Sequence, residues 1–363
     1  MSTLTPFFIS LEVTRSCKMN CIYCRANAKP ISYENELTTK EYFDLLDDIS
    51  EHFNSIIILT GGDPMERKDI FQIVEHCTKL GLYVVLSSCG HSLSKENLLK
   101  LKDAGVLRVS LTLNGVQKQT HEEISGRDGS FDEAMRAIEL CKKVDMSFQI
   151  HTAVLRRNVK DLPSILELAK KLGSSGYHPF FFVPVGRGIA VEDQSLPPDE
   201  YEKLLNWLYE KRLEVDTHYE KDSVSFLDKF ILRPSCAPHF SRIVFQRSKE
   251  LKTSNRKDFS FEEIFSGCMA GRTFIHISHT GQVQPCGELE IDCGNIKVEN
   301  FSTIWETSKT LEELKDRTKY KGKCGVCNYV KICGGCRARA YIKTGDYLAE
   351  DPYCIYKPTK LKI

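Results

Sequence analysis

The chain has 363 residues, 41% of them hydrophobic, enough to bury a substantial core and to form two unequal domains. Its 50 Lys and Arg balance 49 Asp and Glu to a formal charge of +1, which argues against a polyanion-binding surface; nucleic acid is not an expected partner. Fifteen cysteines are far above ordinary usage. Residues Met1 to Ser10 carry no basic stretch followed by an apolar core, and runs such as Ile56–Leu59 and Phe180–Val183 are too short to cross a bilayer. The expectation is a reducing cytoplasm without a membrane anchor, where metal is a better use of cysteine than disulfides.

From Phe7 onward, apolar runs precede amphipathic stretches: FFISLEV then Thr38–His52, SIIIL then Lys68–Leu80, LYVVLS then Lys95–Ala104. LRVSLTL then Phe131–Val144, MSFQIHTAVL then Leu162–Leu172, and HPFFFVPV then Asp199–Val215 complete the series. Gly81, Gly105 and Gly173 stand where helices should stop. Six such units predict an α/β chain with parallel strands, a partial (β/α)6 TIM-like barrel. Beyond them the rhythm fades into loop-rich sequence, so residues 1–230 are assigned to the barrel and 231–363 to a cysteine-rich domain. Ser248–Asp258 reads as a polar insert.

Cys17, Cys21 and Cys24 follow the first strand directly. Three thiolates can ligate three irons of a cubane cluster and leave the fourth open. Zinc asks for four ligands in paired spacings, and the sequence offers no fourth candidate nearby. Gly61-Gly62-Asp63-Pro64 ends the second strand, where missing side chains permit a close backbone approach. The two motifs together, CKMNCIYC and SIIILTGGDP, resemble those of the radical S-adenosylmethionine (SAM) superfamily. That resemblance implies that SAM chelates the open iron and that one-electron reduction cleaves it to a 5′-deoxyadenosyl radical. It also implies a low-potential donor such as ferredoxin or flavodoxin. Tyr23 matches the aromatic position beside adenine, and Gly61, Gly62, Asp63 and Pro64 match the site for the SAM amino group. Asp63 stands where the family more commonly has Glu. Ser87, Ser110, Gln149 and His151 fall at later strand ends, where ligands gather in α/β folds, and are the remaining SAM candidates. Cys77, Cys89 and Cys141 are expected to be small core residues.

Cys268, Cys286, Cys293, Cys324, Cys327, Cys333, Cys336 and Cys354 make two complete sets of four. The Cys324/Cys327 and Cys333/Cys336 pairs would tolerate zinc ribbons, but zinc cannot accept electrons. The arrangement resembles the SPASM auxiliary-cluster domain. By that resemblance Cys268, Cys286, Cys293 and Cys336 hold a nearer cluster, and Cys324, Cys327, Cys333 and Cys354 an outer one. With the first triplet, this implies three 4Fe-4S clusters.

Longer strings, FFFVPVGRG, CAPHFSRI, GCMAG, ISHTGQVQPCGELEIDCGN and KGKCGVCNYVKICGGCRARAYIKTGDYLAEDPYC, resemble the anaerobic haem synthases, which decarboxylate iron-coproporphyrin III. The resemblance implies an oxidoreductase of haem biosynthesis that turns two propionates into vinyls, losing carbon dioxide and passing an electron to an acceptor. Cys236 and His239 are the substrate-side candidates, because thiolate and imidazole are common haem-iron ligands. Arg187, Arg242, Arg337 and Arg339 are suited in type to the propionates. The chain departs from the family at Lys18-Met19, at Asn114, in FQIHTA, and at Ser125, where an Arg is expected and Arg127 is the nearest replacement. The alternative is a radical SAM maturase acting on a ribosomal peptide, another tetrapyrrole or another metal cofactor. An electron carrier without catalysis would require full ligation of every cluster, against the three thiolates of the first triplet.

Overall fold

The computed structural model describes residues 4–219, 230–250 and 267–358. Most of the insert Ser248–Asp258, and residues 220–229 ahead of the expected domain junction, lie outside them. All six expected strands form: β1 Phe8–Thr14, β2 Ile56–Gly61, β3 Tyr83–Ser88, β4 Val106–Thr112, β5 Phe148–Val154 and β6 Gly176–Phe181. Between them run α1 Thr39–His52, α2 Ile70–Lys79, α3 Lys95–Asp103, α4 Lys118–Ser125, α5 Ser130–Lys143 and α6 Leu162–Leu172, with α7 Pro198–Tyr219 after β6. β1 to β6 pair in parallel, each with its sequence neighbour, which is the expected partial barrel.

The reason lies in strand alternation. Ile9, Leu11, Ile57, Leu59, Val84, Leu86, Val109 and Leu111 share one core with Leu46, Ile49, Val74, Leu101 and Ile138 from the helices. The intervening residues face the opposite side. They include Ser10, Glu12, Ser87, Ser110, Gln149, His151 and His178, so the inner face is polar. Helix caps fix the boundaries. Thr38 and Glu41 form a reciprocal capping box at the start of α1, and Gly173 ends α6 with φ +77°.

The sheet has nine strands rather than six. β7 Ile231–Leu232 adds to β6, while β8 Phe274–Ile277 pairs in parallel with β1 and β9 Val283–Gln284 in antiparallel with β8. Segments beyond residue 230 thus complete both edges of the barrel sheet. The helix Phe301–Thr307 docks back on α1, where Ser302 donates from its N–H and its hydroxyl to the Asp48 carboxylate at 2.8 and 2.6 Å. Among the described residues, no helix is long and apolar enough to cross a membrane.

Candidate active site and cluster loops

The loop carrying Cys17, Cys21 and Cys24 leaves β1 and is tied down from several sides. Asn20 and Ile22 donate to the carbonyls of Ser125 and Ile124 at the end of α4, at 3.1 and 3.0 Å. Gly126 ends that helix with φ +63°, and a Cβ there would collide with the Asn20 carbonyl. Arg187 donates from Nε to the Cys21 carbonyl at 2.8 Å and from Nη2 to that of Ala28 at 3.2 Å. Expected on the substrate side, it instead braces this loop.

The three thiols pack with Met19 and Ala28, and Cys89 joins them. Cys89 was expected in the core; it lies beside Cys17, and its thiol donates to Asp63 at 2.8 Å. Cys77 and Cys141 are fully buried core residues. A hydrogen bond from Cys89 lowers the titration of Cys17, whereas burial, reinforced by Cys24, pushes Cys21 up to about 12.

Gly61 and Gly62 allow two backbone loops to meet. Gly62 and Asp63 donate to the carbonyls of Thr14 and Ser16 at 2.8 and 2.9 Å, and a Cβ on either glycine would strike the backbone beside the cysteine loop. The Asp63 carboxylate is buried and held by the protein itself: it accepts from Met65 and Cys89 N–H, the Ser88 hydroxyl and the Cys89 thiol. Pro64 opens the short turn Pro64–Glu66 that follows. Tyr23 packs against Ile124, Leu155 and Phe182, and its hydroxyl accepts from Asn114 at 3.3 Å. Ser87, Ser110 and Gln149 stand in register across β3, β4 and β5, and Gln149 donates to Ser110 at 2.8 Å. His151 lies next to Gln149 and 5.3 Å from the His178 ring; burial lowers its titration to about 3, which keeps it neutral. Arg127 pairs with Glu133 on α5.

A second polar group on the inner face was not foreseen. Glu12, fully buried, contacts Arg25 at 3.0 Å and His279 at 2.8 Å, with His276 at 3.7 Å. Burial opposes its ionisation, but the histidines and Arg25 hold the carboxyl well below the ordinary range. The signal in the sequence was Glu12 as the one charged residue of the first strand. Arg25 also reaches the auxiliary region: a Cβ on Gly287 would lie 2.9 Å from its Nε, so the loops after Cys24 and Cys286 touch.

In the C-terminal region Cys324, Cys327, Cys333 and Cys354 line one cavity together with His239 and Arg242. Cys286 and Cys236 pack against a small apolar group formed by the buried Val183, Leu289, Cys336 and Ala338. Cys268 joins this second group, lying within electrostatic reach of Cys286, Cys336 and Cys236. Cys293 does not; it sits in the main core, where burial pushes its thiol up to about 12 beside Ser308 and Lys315. The two groups are stitched together by Cys268 N–H donating to the Cys333 carbonyl at 2.9 Å and by Arg317, which bridges the carbonyls of Val330, Lys331 and Cys268.

His239, expected to face substrate, is fully buried with Nε2 3.2 Å from Asp351, whose other contacts include the Cys336 N–H at 2.6 Å. Arg242 forks onto Glu202 at 2.6 and 2.5 Å. Arg337 donates to the carbonyls of Tyr347 and Ala349, and Arg339 to that of Cys236 at 2.9 Å. Arg337 and Arg339 therefore brace the cysteine loops, whereas Arg242 pairs with α7 and lines the cavity of the outer cysteines. Among the described residues no three His, Cys, Asp or Glu side chains meet closely enough for a single metal ion; a four-iron cluster distributes its thiolates over separate irons. The sulfurs also attract donors in the manner of cluster ligands: Met19 N–H to Cys17, Tyr329 N–H to Cys327, Gly335 N–H to Cys333 and Arg337 to Cys324, at 3.3 to 3.5 Å.

Residues 11–169 match the family model of the radical SAM superfamily, and residues 268–336 match that of the SPASM iron–sulfur cluster-binding domain. The chain is 40% identical over 359 residues to an AdoMet-dependent heme synthase of Methanosarcina barkeri, covering 99% of each chain. It is 41% identical over 353 residues to one of Oleidesulfovibrio alaskensis, covering 97% of this chain and 88% of that protein. A PqqA peptide cyclase of Bradyrhizobium diazoefficiens is more distant, at 24% identity over 97% of this chain and 87% of its own length. The fold is shared with the crystal structure of Streptococcus suis SuiB bound to S-adenosylmethionine, at TM-score 0.73 and 15% identity over 97% of this chain and 77% of that one. It is also shared with anSMEcpe with bound AdoMet, at TM-score 0.67 and 18% identity over 96% and 94%. A triplet loop on a partial barrel, a cysteine-rich region on its edge and kinship along nearly the whole length make this chain a radical SAM enzyme with a SPASM iron–sulfur domain, a member of the AdoMet-dependent heme synthase family.

Proposed function

We propose that the enzyme decarboxylates iron-coproporphyrin III oxidatively, converting two propionates to vinyl groups in the synthesis of haem b. The observation that carries this reading is 40% identity over 99% of the chain to a protein named for heme synthesis. In this reading Cys17, Cys21 and Cys24 hold a 4Fe-4S cluster that, with SAM bound, supplies a 5′-deoxyadenosyl radical on reduction. Tyr23, the backbone of Gly61 to Pro64 and the row Ser87, Ser110, Gln149 and His151 contribute the SAM pocket. Two auxiliary clusters bring the total to three. Cys324, Cys327, Cys333 and Cys354 hold the outer one, and Cys268, Cys286 and Cys336 belong to the inner one.

Each vinyl group formed requires one electron to leave the substrate after hydrogen abstraction and loss of carbon dioxide. The contact between Arg25, beside Cys24, and Gly287, beside Cys286, favours the inner cluster as the acceptor, because it keeps the two loops adjacent. Cys236 and His239 are reassigned from substrate to the cluster walls, on the burial of His239 against Asp351 and the packing of Cys236 on the apolar group that contains Cys336. A ferredoxin or flavodoxin would supply the reducing electron.

Anaerobic incubation with iron-coproporphyrin III, SAM and reductant should give products lighter by the elements of one and then two formic acids, carbon dioxide plus two hydrogen atoms each. Unchanged porphyrin with SAM cleavage intact would remove this substrate and direct the search to peptides, the substrate class named for the PqqA peptide cyclases.

A further inference from the structure

We propose that Cys236, from the barrel edge, is the fourth thiolate of the inner auxiliary cluster, completing Cys268, Cys286 and Cys336 in place of Cys293; this rests on the inner-cluster reading above. Cys236 lies far from the other three in sequence, in the turn between β7 and α8 (His239–Glu250). Two independent features bring it to them. It packs, as Cys286 does, against the small apolar group that contains the buried Cys336. It also holds φ +54°, a left-handed conformation that a β-carbon makes costly, and Arg339, three residues beyond Cys336, fastens it by donating to its carbonyl at 2.9 Å. A strained backbone fastened by a buried arginine fixes the direction of one side chain, and this one is a thiol among thiols.

Cys268 and Cys336 both lie within electrostatic reach of Cys236 and of Cys286. Cys293 lacks that company: Ser308, Asp292 and Lys315 surround it. Four thiolates close the inner cluster, which suits it to electron transfer and leaves Cys236 unavailable to a porphyrin iron. They also bind the strand after β6 to the SPASM region through metal.

The test uses full-length protein carrying Cys17→Ala, Cys21→Ala and Cys24→Ala, reconstituted anaerobically so that only auxiliary clusters remain. Iron and sulfide content and the electron paramagnetic resonance of the reduced protein are then read for four further substitutions. Cys236→Gly suits the left-handed backbone and should fold; it is expected to lose inner-cluster iron or to give a signal newly sensitive to added imidazole, as an opened iron would. Cys236→Ser, which keeps the side-chain size, should shift the same signal. Cys293→Ala should match the parent, and Cys286→Ala should lose the cluster. Parent-like iron and signal in both Cys236 variants, or loss of the signal in Cys293→Ala, would overturn the proposal while a damaged Cys286→Ala leaves the inner cluster standing. A parent-like Cys286→Ala would instead remove the inner-cluster reading itself.

Discussion

Asp351 shows how much one side chain can carry where secondary structure is scarce. Its carboxylate is fully buried, faces His239, and accepts from the N–H of Cys336 and of Tyr353. Burial would favour the neutral acid, but His239, Arg339 and the Cys336 N–H hold its titration far below the ordinary range. A carboxyl depressed in the folded state stabilises it fully above its unfolded value of about 3.9 and loses that contribution as pH falls through this value towards the folded one. Asp351→Asn, which breaks a buried pair, should therefore cost roughly 3–5 kcal/mol near neutral pH. The urea midpoint of the cluster-loaded protein should show a gap between wild type and variant that stays constant from about pH 7 to 5 and narrows below about pH 4. A gap that grew on acidification would contradict the assignment.

The elements that position the radical site depend on contacts that no side chain could relieve. A Cβ on Gly62 would meet the carbonyls of both Ser16 and Arg15, the latter at 2.6 Å, and neither can rotate away. Gly62→Ala should lower stability by about 1–3 kcal/mol and spoil SAM cleavage by displacing the cysteine loop. Gly81, with nothing within 4 Å of its would-be Cβ but φ +78°, is the control; its Ala variant should lose about 1 kcal/mol and retain SAM cleavage per folded molecule. Measured together, unfolding midpoints and SAM cleavage separate a general loss of stability from a displaced site. These elements were legible in the sequence to unequal degrees. β1 to β6 announced themselves by apolar runs and by glycines at helix ends. β7 and β9, with two residues each, and β8, with four, carry too little periodicity to read and are fixed by pairing at sheet edges. Helix α4 begins at Gln117 without a side-chain cap and is largely polar, so only its contact with the cysteine loop reveals its use. The outer set of cysteines, grouped by resemblance to the SPASM domain, lines one cavity. The same resemblance put Cys293 in the inner set, but Cys293 lies in the main core while Cys236, fifty residues before Cys286, packs on the group with Cys336; sequence distance carries no information about a turn closing from the opposite sheet edge.

At the scale of the whole molecule, the two regions differ in what holds them. The barrel buries one continuous apolar core between its sheet and helices. From Arg317 to Pro358 the described elements are short: a turn Arg317–Lys319, a four-residue helix Gly322–Gly325 and the eight-residue helix Arg337–Thr344. Their local apolar group is small, with Tyr320, Cys324 and Leu348 as its buried members. So little buried surface cannot offset the chain entropy of ordering such loops, at about 1–2 kcal/mol per residue for the backbone alone. Cluster ligation must supply the remainder, as metal binding does in other small cysteine-rich folds. Removing iron with a chelator under mild oxidation should leave the barrel helices intact while the 317–358 segment opens. Limited proteolysis of apo-protein is then expected to cut first within 317–358 and to spare residues 8–219, whereas the cluster-loaded protein resists at both. Equal resistance of that segment with and without iron would mean that its packing on the barrel, through contacts such as Arg339 to Tyr201 and His239 to Asp351, is sufficient by itself.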